Sequence, residues 1–265
     1  MKQHSTFWDI RQPVSRGTAL GLAFVMPVVV LGAWCIVSYG GLAPPDFLPS
    51  PTEVVRGTLQ LFIQYDLWTS IVISTKRIVL AFLLAAAFAL PLGVAMGSFS
   101  PVHHLFESIM APLRYMPISA FIPLLILWFG IYDKQKIAFL FLGVFVFLLP
   151  VVVTAIRAVP EELVQTALTL GASRFQAVMT VLVPAALPDI FDSFRVMNAI
   201  SWTYVVLAEF VNAPSGIGYR IQLAGNHTHT VEVFVGIAVI GLIGLVTDAI
   251  IRALNNALFR WRETQ

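Results

Sequence analysis

Polar and charged side chains inside long apolar runs are the residues of this sequence most able to do chemistry. The candidates for lining a solute path are Arg77, Asn198, Ser201, Trp202, Tyr204 and Glu209. An ionisable group at membrane depth is costly and usually serves a partner or a function. Asn198 and Trp202 are four residues apart and share one face of a helix. That face is a candidate lining for the path of a small polar solute, and a polar contact between helices is the alternative for each residue. Arg77 is the cation best placed to meet Glu209 or an anionic solute.

No catalytic or metal-binding arrangement is predicted. The phosphate-binding pattern G-x-x-x-x-G-K-[ST] does not occur, so the chain has no nucleotide site of its own. We interpret the pairs His103–His104 and His227/His229 as solvated loop residues rather than metal ligands. Cys35, the single cysteine, lies in an apolar run and cannot form an internal disulfide. We therefore expect neither an enzyme nor a bound cofactor.

The composition requires contact with lipid. The 265 residues are 58% hydrophobic and 11% charged, with a mean hydropathy of +0.85. Soluble chains carry about 25% charged residues, so this chain has too little charge to cover a water-facing surface of its size. The net charge of +2 gives no indication of nucleic acid as a partner.

Apolar runs of about 20 residues can cross a bilayer as helices, and the sequence contains six: 19–40, 69–97, 109–130, 137–157, 188–211 and 232–251. They lack the two-residue alternation of barrel strands. We therefore predict an all-α membrane protein with about six transmembrane helices, the first of them an uncleaved helix. Prolines 91, 112, 117, 123 and 150 interrupt several runs, and broken helices are tolerated where they are buried in protein or line a cavity.

Lysine and arginine in the short loops favour an orientation with both termini in the cytoplasm. Lys2, Arg11 and Arg16 precede the first run. The cations expected outside are Arg56, Lys134, Lys136 and Arg220. We predict a cytoplasmic N-terminal segment over 1–18, a single transmembrane domain over 19–255 and a cytoplasmic tail over 256–265.

The inner loop over about 158–184 predicts two short helices joined by a sharp turn. Pro160 followed by two glutamates is typical of a helix start, because its φ is fixed and acids suit the positive end of the helix dipole. Apolar residues recur at Leu163, Ala167 and Leu170, and Gly171 is positioned to end that helix.

Two capping boxes predict further helix starts. The box Ser173–Gln176 begins the second inner helix, which we expect to run to about Leu182 before Pro184 and Pro188 close the segment. The box Ser50–Glu53 begins a short amphipathic helix at the outer interface. Covering the bundle is the expected role of that outer helix, and docking a partner is the alternative.

The inner loop resembles the cytoplasmic coupling motif of binding-protein-dependent ABC importers, which reads Glu-Ala-Ala, three residues, Gly, nine residues, then Ile-x-Leu-Pro. The counterparts here are Gln165-Thr166-Ala167, Gly171 and Val181-Leu182-Val183-Pro184. Gln165 and Thr166 stand where the motif has glutamate and alanine. Other phrases are similar to permeases of the nitrate, sulfonate, taurine and bicarbonate group: Leu48–Pro51, Ile122–Gly130, and Ala208-Glu209 with Ser215–Tyr219. The resemblance covers roughly 19–255.

This resemblance implies a type I ABC importer fold, like that of the methionine permease, and a homodimer in the bacterial inner membrane. It implies two cytoplasmic ATP-binding subunits, which hold ATP and Mg²⁺, and a periplasmic or lipid-anchored solute-binding protein. The residues implied to couple to the ATPase are Glu162, Gln165, Thr166, Ala167, Leu170, Gly171, Ala172, Ser173 and Arg174. The implied solute is a small polar one, with nitrate, sulfonate or bicarbonate anions expected first and vitamin precursors or pyrimidine-like solutes left open.

A stand-alone channel or secondary carrier is the alternative function. It predicts uptake by this chain without an ATPase, and the sequence has no convincing internal repeat of the kind that carriers often show. An intramembrane enzyme is a third reading, disfavoured because no nucleophile–base pair or metal cluster is present.

Overall fold

The computed structural model describes residues 14–211 and 213–260, and all regular structure within these ranges is helical. The helices in chain order are α1 (Arg16–Tyr39), α2 (Pro51–Gln64), α3 (Leu67–Ser98), α4 (Ser100–Tyr115), α5 (Ile122–Phe129), α6 (Asp133–Arg157), α7 (Glu161–Thr169), α8 (Arg174–Ala177), α9 (Val183–Phe210), α10 (Ile217–Asn226) and α11 (Thr230–Leu258). A 3₁₀ turn at Ile118–Phe121 precedes α5, and a π turn at Val178–Leu182 joins α8 to α9.

The number of apolar spans agrees with the sequence. Among the described residues, five helices are long and apolar enough to cross a membrane: α1, α3, α6, the α8–α9 unit and α11. A sixth is obtained when the bent pair of α4 and α5 counts as one span. The prediction of an all-α protein with about six spans is thus confirmed. The predicted terminal segments fall largely on residues 1–13 and 261–265, which lie outside the described residues.

The third predicted span, 109–130, is not one continuous helix. Its two halves meet at 96°, with the break at Met116 and Pro117. A proline has no N–H for the helical ladder, and the residue before it is pushed toward extended backbone. Met116 accordingly takes φ −79° and ψ 130°. The break therefore lies at one of the prolines that the sequence analysis names as interrupting this run.

The fifth span begins earlier than predicted. Pro184 and Pro188 do not close the inner segment, since both lie within α9, and the helical path is continuous from Arg174 to Phe210. The π turn explains this, because the N–H of Val183 donates to the carbonyl of Val178, five residues back. The wider turn directly precedes Pro184, where an α-helical hydrogen bond is missing in any case.

Helices α3, α6 and α9 form the centre of the bundle. Gly93 and Gly97 of α3 lie directly against Val152 and Ile156 of α6, and a Cβ at Gly93 would come within 2.6 Å of Val152. The two helices run in the same direction, since Arg77 near the start of α3 also meets Asp133 at the start of α6. Glycine in these two positions allows the two backbones to approach closely.

Helix α1 packs little against the rest of the described chain. Its described side chains are mostly exposed and apolar. The contacts lie near its end, where the indole N–H of Trp34 donates to the carbonyl of Pro49 at 3.0 Å and the ring stacks on Phe234 at 6.0 Å. An apolar helix exposed along most of its length fits a lipid environment.

Candidate coupling segment and buried polar network

The loop between α6 and α9 has the helix–turn–helix form that the sequence predicts. Helix α7 ends at Thr169, and Gly171, two residues later, has φ +91°, a conformation that glycine adopts without steric cost. The N–H of Ala172 donates to Ala167 and the N–H of Gly171 to Leu168, both at 3.0 Å. This pair of hydrogen bonds is the Schellman motif, so the direction of the bend is fixed by backbone geometry.

Local side-chain bonds complete this segment. The capping box that starts α8 is present, with the Ser173 N–H donating to Gln176 at 2.8 Å and the Gln176 N–H donating to Ser173 Oγ at 3.3 Å. On α7, the amide of Gln165 donates to the carboxylate of Glu161 at 2.7 Å. The glutamine that replaces the motif's glutamate therefore makes a bond that a second carboxylate could not make.

Apolar side chains at the tip of this segment are exposed. Leu170 is 83% exposed and Phe175 is 71% exposed, and helix α7 buries none of its residues within the described chain. The tip therefore presents a rigid, partly apolar surface to whatever lies at this end of the bundle.

A buried ion-pair network lies at the opposite end of α9. The guanidinium of Arg77 donates to Glu209 at 2.7 Å, to Asp133 at 2.5 Å and to the carbonyl of Ser215 at 2.8 Å. Arg77 and Glu209 are both buried, whereas the Asp133 side chain is largely exposed. One arginine thus links α3, α6, α9 and the turn before α10. The expectation that Arg77 meets Glu209 is confirmed.

The Glu209 carboxylate is saturated with donors. Besides Arg77, it accepts from the hydroxyl of Ser74 at 2.8 Å and from the backbone N–H of Gly218 at 2.8 Å. Gly216 has φ +116°, and a Cβ at this position would overlap that carboxylate. A buried charge with a full set of partners holds the segments that carry those partners in one arrangement.

Sequence reasoning missed most members of this network. Asp133 and Ser74 are unremarkable in the sequence, and Lys136 was counted among the outer loop cations. Helix α6 starts at Asp133, and Lys136 is fully buried, donating to the carbonyl of Ile131 at 2.7 Å. Its placement in a loop was therefore wrong. The available signal was the Asp-Lys-Gln-Lys stretch directly before an apolar run.

The other path candidates make contacts between or within helices. Asn198 donates to the carbonyl of Gly244 at 3.3 Å and the Trp202 indole N–H to Thr247 at 3.3 Å, both on α11. Ser201 donates to Met197 one turn earlier at 2.8 Å. Tyr204 packs on Phe139, with ring centroids 5.8 Å apart. These contacts match the alternative of polar contacts between helices, and a path role for the set stays a prediction.

A small, largely apolar cavity does touch part of this set. It has a volume of about 220 Å³ and is lined by Asn198, Ser201 and Trp202 together with residues of α3 and α11. Tyr204, Arg77 and Glu209 are not among its lining residues. The structure thus divides the six candidates between this cavity, the buried ion pair and the contact with Phe139.

Helix α9 and α11 are also joined near the end that carries the coupling segment. Asp248 and Arg252, four residues apart on α11, form an ion pair at 2.7 Å. Asp248 makes a second ion pair with Arg195 of α9, also at 2.7 Å, which the sequence did not indicate because the two residues are far apart along the chain.

The outer capping box is present as predicted. The Ser50 N–H donates to the Glu53 carboxylate at 2.7 Å and the Ser50 hydroxyl donates at 2.8 Å. These two bonds lower the pKa of Glu53 below its ordinary value, and the bond from the backbone N–H has the larger effect.

The histidine pairs differ in position. His103 and His104 lie within α4, so their placement in a loop was wrong, whereas His227 and His229 cap the turn between α10 and α11 as expected. Among the described residues, no three His, Cys, Asp or Glu side chains are grouped so as to hold a metal ion.

The sequence matches a known protein family over about two thirds of its length. Residues 87–260 match the family described as the binding-protein-dependent transport system inner membrane component. The chain belongs to this family. It is therefore the permease subunit of an ABC importer and a multi-pass membrane protein of the inner membrane, a transport subunit rather than an enzyme. Both the suspected family and the preference over a stand-alone carrier are confirmed.

Two relatives match this permease over most of its length. It is 33% identical to the taurine transport system permease protein TauC of Escherichia coli (strain K12), covering 98% of this chain and 96% of that protein. It is 32% identical to the putative aliphatic sulfonates transport permease protein SsuC of Bacillus subtilis (strain 168), covering 91% and 87%.

Solved structures support the fold. The permease is similar to a chain of the MetNI methionine ABC transporter, with a TM-score of 0.57 and 20% sequence identity, covering 68% of this chain and 92% of that chain. The predicted type I importer fold is confirmed by this likeness.

Proposed function

We propose that this permease moves a small sulfonate-type anion into the cytoplasm as a homodimer driven by two ATPase subunits. Both termini and the segment Glu161–Arg174 would then lie in the cytoplasm. Support for the solute class comes from the taurine and aliphatic sulfonate permeases to which the chain is similar. The solute would be delivered by a binding protein at the opposite face.

The observation that carries this proposal is the exposed bend at Gly171. This chain has no phosphate-binding loop, so uphill transport requires an energy source in another subunit. No residue of helix α7 is fully buried within the described chain, and Leu170 and Phe175 expose apolar surface just beyond its end. A short rigid element of this kind is suited to docking in a cleft of the ATPase.

Movement of that element would be transmitted directly to the spans. Helix α7 follows α6 after three residues, and α8 continues through the π turn into α9 without a break. The bend is locked by the Schellman hydrogen bonds rather than by a flexible linker. Rigid-body motion of the ATPase would therefore rotate α6 and α9 and switch the bundle between outward-open and inward-open states.

Gly171→Pro tests the coupling role. Proline cannot adopt φ +91° and has no N–H to donate to Leu168. Proteoliposomes containing the full complex should lose ATP-driven uptake and the stimulation of ATPase activity by the binding protein, while the subunit still inserts. Gly41→Pro is the matched control, since Gly41 also has positive φ and open surroundings but follows α1. Uptake at the wild-type level in Gly171→Pro would contradict the coupling role.

Leu170→Asp tests the docking surface without disturbing the backbone. The side chain is exposed, so the variant should fold normally and lose affinity for the ATPase subunits. Co-purification of the ATPase measures this, and Leu163→Asp on the same helix is the control for an added charge. Equal recovery of the ATPase with the wild type, Leu170→Asp and Leu163→Asp would contradict docking at the tip of the segment.

Competition of solutes for uptake tests the substrate class. Taurine and alkanesulfonates should inhibit transport by the complex of this permease with its own ATPase and binding protein, and nitrate or bicarbonate should inhibit weakly. Transport of riboflavin-like or pyrimidine-like solutes with no effect of sulfonates would contradict the assignment. Chemical cross-linking of single-cysteine variants in membranes would establish the copy number and the side on which each terminus lies.

A further inference from the structure

A cavity that none of the transport roles above uses lies between α3, α4 and α6. It has a volume of about 150 Å³ and sits close to where α3 and α6 end. Its polar lining consists of His103, Glu107, Arg114, Thr154 and Arg157. Three of these residues carry positive charge or can donate hydrogen bonds from a ring nitrogen.

The spacing of these residues places them on facing helix surfaces. His103, Glu107 and Arg114 recur at intervals of four and seven residues on α4, and Thr154 and Arg157 are three apart on α6. Such intervals bring side chains to one face of a helix. The polar groups therefore converge from two helices on a shared space.

The charges in this cavity are incompletely matched. Glu107 forms an ion pair with Arg114. Arg157 is exposed and has no hydrogen-bond or ion-pair partner within residues 14–211 and 213–260. The Nδ1 atom of His103 is buried and also without a hydrogen-bond partner there, although its ring contacts His104 edge-on. A buried polar atom without a partner costs free energy unless a ligand or water satisfies it.

The remaining lining is apolar. Met96, Leu149 and Val153 form part of the wall between α3 and α6. One side of the cavity therefore suits a charged group and the other suits a hydrocarbon chain. Basic clefts between transmembrane helices are typical sites for the headgroups of anionic lipids.

We propose that this cavity binds a tetrahedral oxyanion, with Arg157 and Arg114 as its guanidinium partners and His103 Nδ1 as a further donor. A planar guanidinium matches phosphate and sulfonate oxygens with two parallel hydrogen bonds. The oxyanion comes either from the phosphate of an anionic phospholipid or from a soluble sulfonate or phosphate. Arg157 is the last residue of α6 and directly precedes the coupling segment, so occupancy braces the base of that segment.

The test compares two sources of the oxyanion with matched arginine variants. Wild type, Arg157→Gln, and the charge-balanced double variant Arg114→Gln/Glu107→Gln are purified as the complete complex. The lipid probe is a vesicle of phosphatidylglycerol in phosphatidylcholine, followed by native mass spectrometry of retained phosphatidylglycerol. The soluble probes are methanesulfonate and inorganic phosphate, followed by isothermal titration. Arg252→Gln is the control, because Arg252 is an exposed arginine whose partner Asp248 retains Arg195.

Arg157→Gln should weaken retention of one of these probes roughly fivefold, and Arg114→Gln/Glu107→Gln should weaken retention of the same probe by a similar factor. Loss in the lipid arm alone identifies a phospholipid, and loss in the soluble arm alone identifies a free oxyanion. His103→Phe, which keeps an aromatic ring without the nitrogen, should weaken the same probe. Equal retention of every probe in all variants, or an equal loss in Arg252→Gln, would overturn the proposal.

Discussion

Gly216→Ala should destabilise this permease far more than the same substitution at Gly130, a glycine with a similarly strained backbone conformation. Gly216 has φ +116° and ψ 168°, and Gly130 has φ +73° and ψ −167°. Both conformations are in the region that is nearly exclusive to glycine, and an alanine there costs on the order of 1–3 kcal/mol at either position. The difference lies in the surroundings. A Cβ at Gly130 has only a Tyr132 ring atom nearby, at 3.9 Å, whereas a Cβ at Gly216 would overlap the Glu209 carboxylate.

The additional cost at Gly216 follows from what that carboxylate holds. Displacing it breaks the contacts with Arg77, Ser74 and Gly218 and leaves a buried guanidinium poorly paired. Disrupting one partner of a buried ion pair costs about 3–5 kcal/mol. We therefore expect Gly216→Ala to lose roughly 3 kcal/mol more stability than Gly130→Ala. For a chain of this size that difference corresponds to a Tm lower by roughly 6–12 °C.

Thermal unfolding of the purified variants in one detergent measures this difference. A double-mutant cycle with Glu209→Asp isolates the clash, because the shorter side chain withdraws the carboxylate from the new methyl group. The double variant should be more stable than the sum of the single losses predicts, by about 1 kcal/mol or more. Equal losses for Gly216→Ala and Gly130→Ala, together with additive behaviour in the cycle, would refute the argument that Glu209 is fixed by its partners.

Three further predictions concern packing, a helix cap and the coupling segment. Gly93→Ala should lower the free energy of unfolding by about 1–3 kcal/mol, because its Cβ would clash with α6. Gly241→Ala is the control and should be neutral or stabilising, because a Cβ there has no atom within 4 Å. Thermal unfolding of the two variants measures the difference. Ser50→Ala should cost about 1 kcal/mol and reduce the pH dependence of α2, because the hydroxyl bond to Glu53 is lost while the bond from the backbone N–H of residue 50 remains. Since the pKa of Glu53 is lowered from 4.5 in the folded protein, its contribution is present above that pH and is lost as the pH falls through the lowered pKa, as circular dichroism would show. Gln165→Glu should retain transport. It should destabilise α7 by only about 0.2–0.5 kcal/mol, because the new carboxylate is repelled by Glu161 one turn earlier. Loss of uptake in this variant would contradict the prediction.

The coupling segment was predicted in detail because its structure depends on neighbours in the chain. Both the glycine turn and the capping box of α8 are built from residues within six positions of one another. Helix-terminus chemistry of this range is encoded by residue type and spacing. The predicted end of the second inner helix was wrong, because no residue pattern indicates the π turn that continues the helix past Pro184.

The buried network was predicted only in part because its members are distant in sequence. Arg77 and Glu209 are separated by 132 positions, and Asp133 lies 56 positions from Arg77. Their position in apolar runs indicated that Arg77 and Glu209 are costly in a membrane. Nothing in the sequence indicated that their partners would be ordinary serines and an aspartate at a helix terminus. The same limitation applies to Asn198 and Trp202. The sequence correctly predicted that they share one helix face, but it did not identify α11 as the helix that this face contacts.

The sequence by itself determined that this chain is a helical membrane protein, that it has about six apolar spans, and where the segment between α6 and α9 would bend. Those properties follow from composition, run length and local capping, which act over a few residues. Tertiary structure alone decided which spans touch, that Lys136 is buried, and that Arg77 pairs with two carboxylates. Ion pairing and close glycine contacts depend on the free-energy gain from packing segments that the chain brings together only after folding, so no local pattern records them.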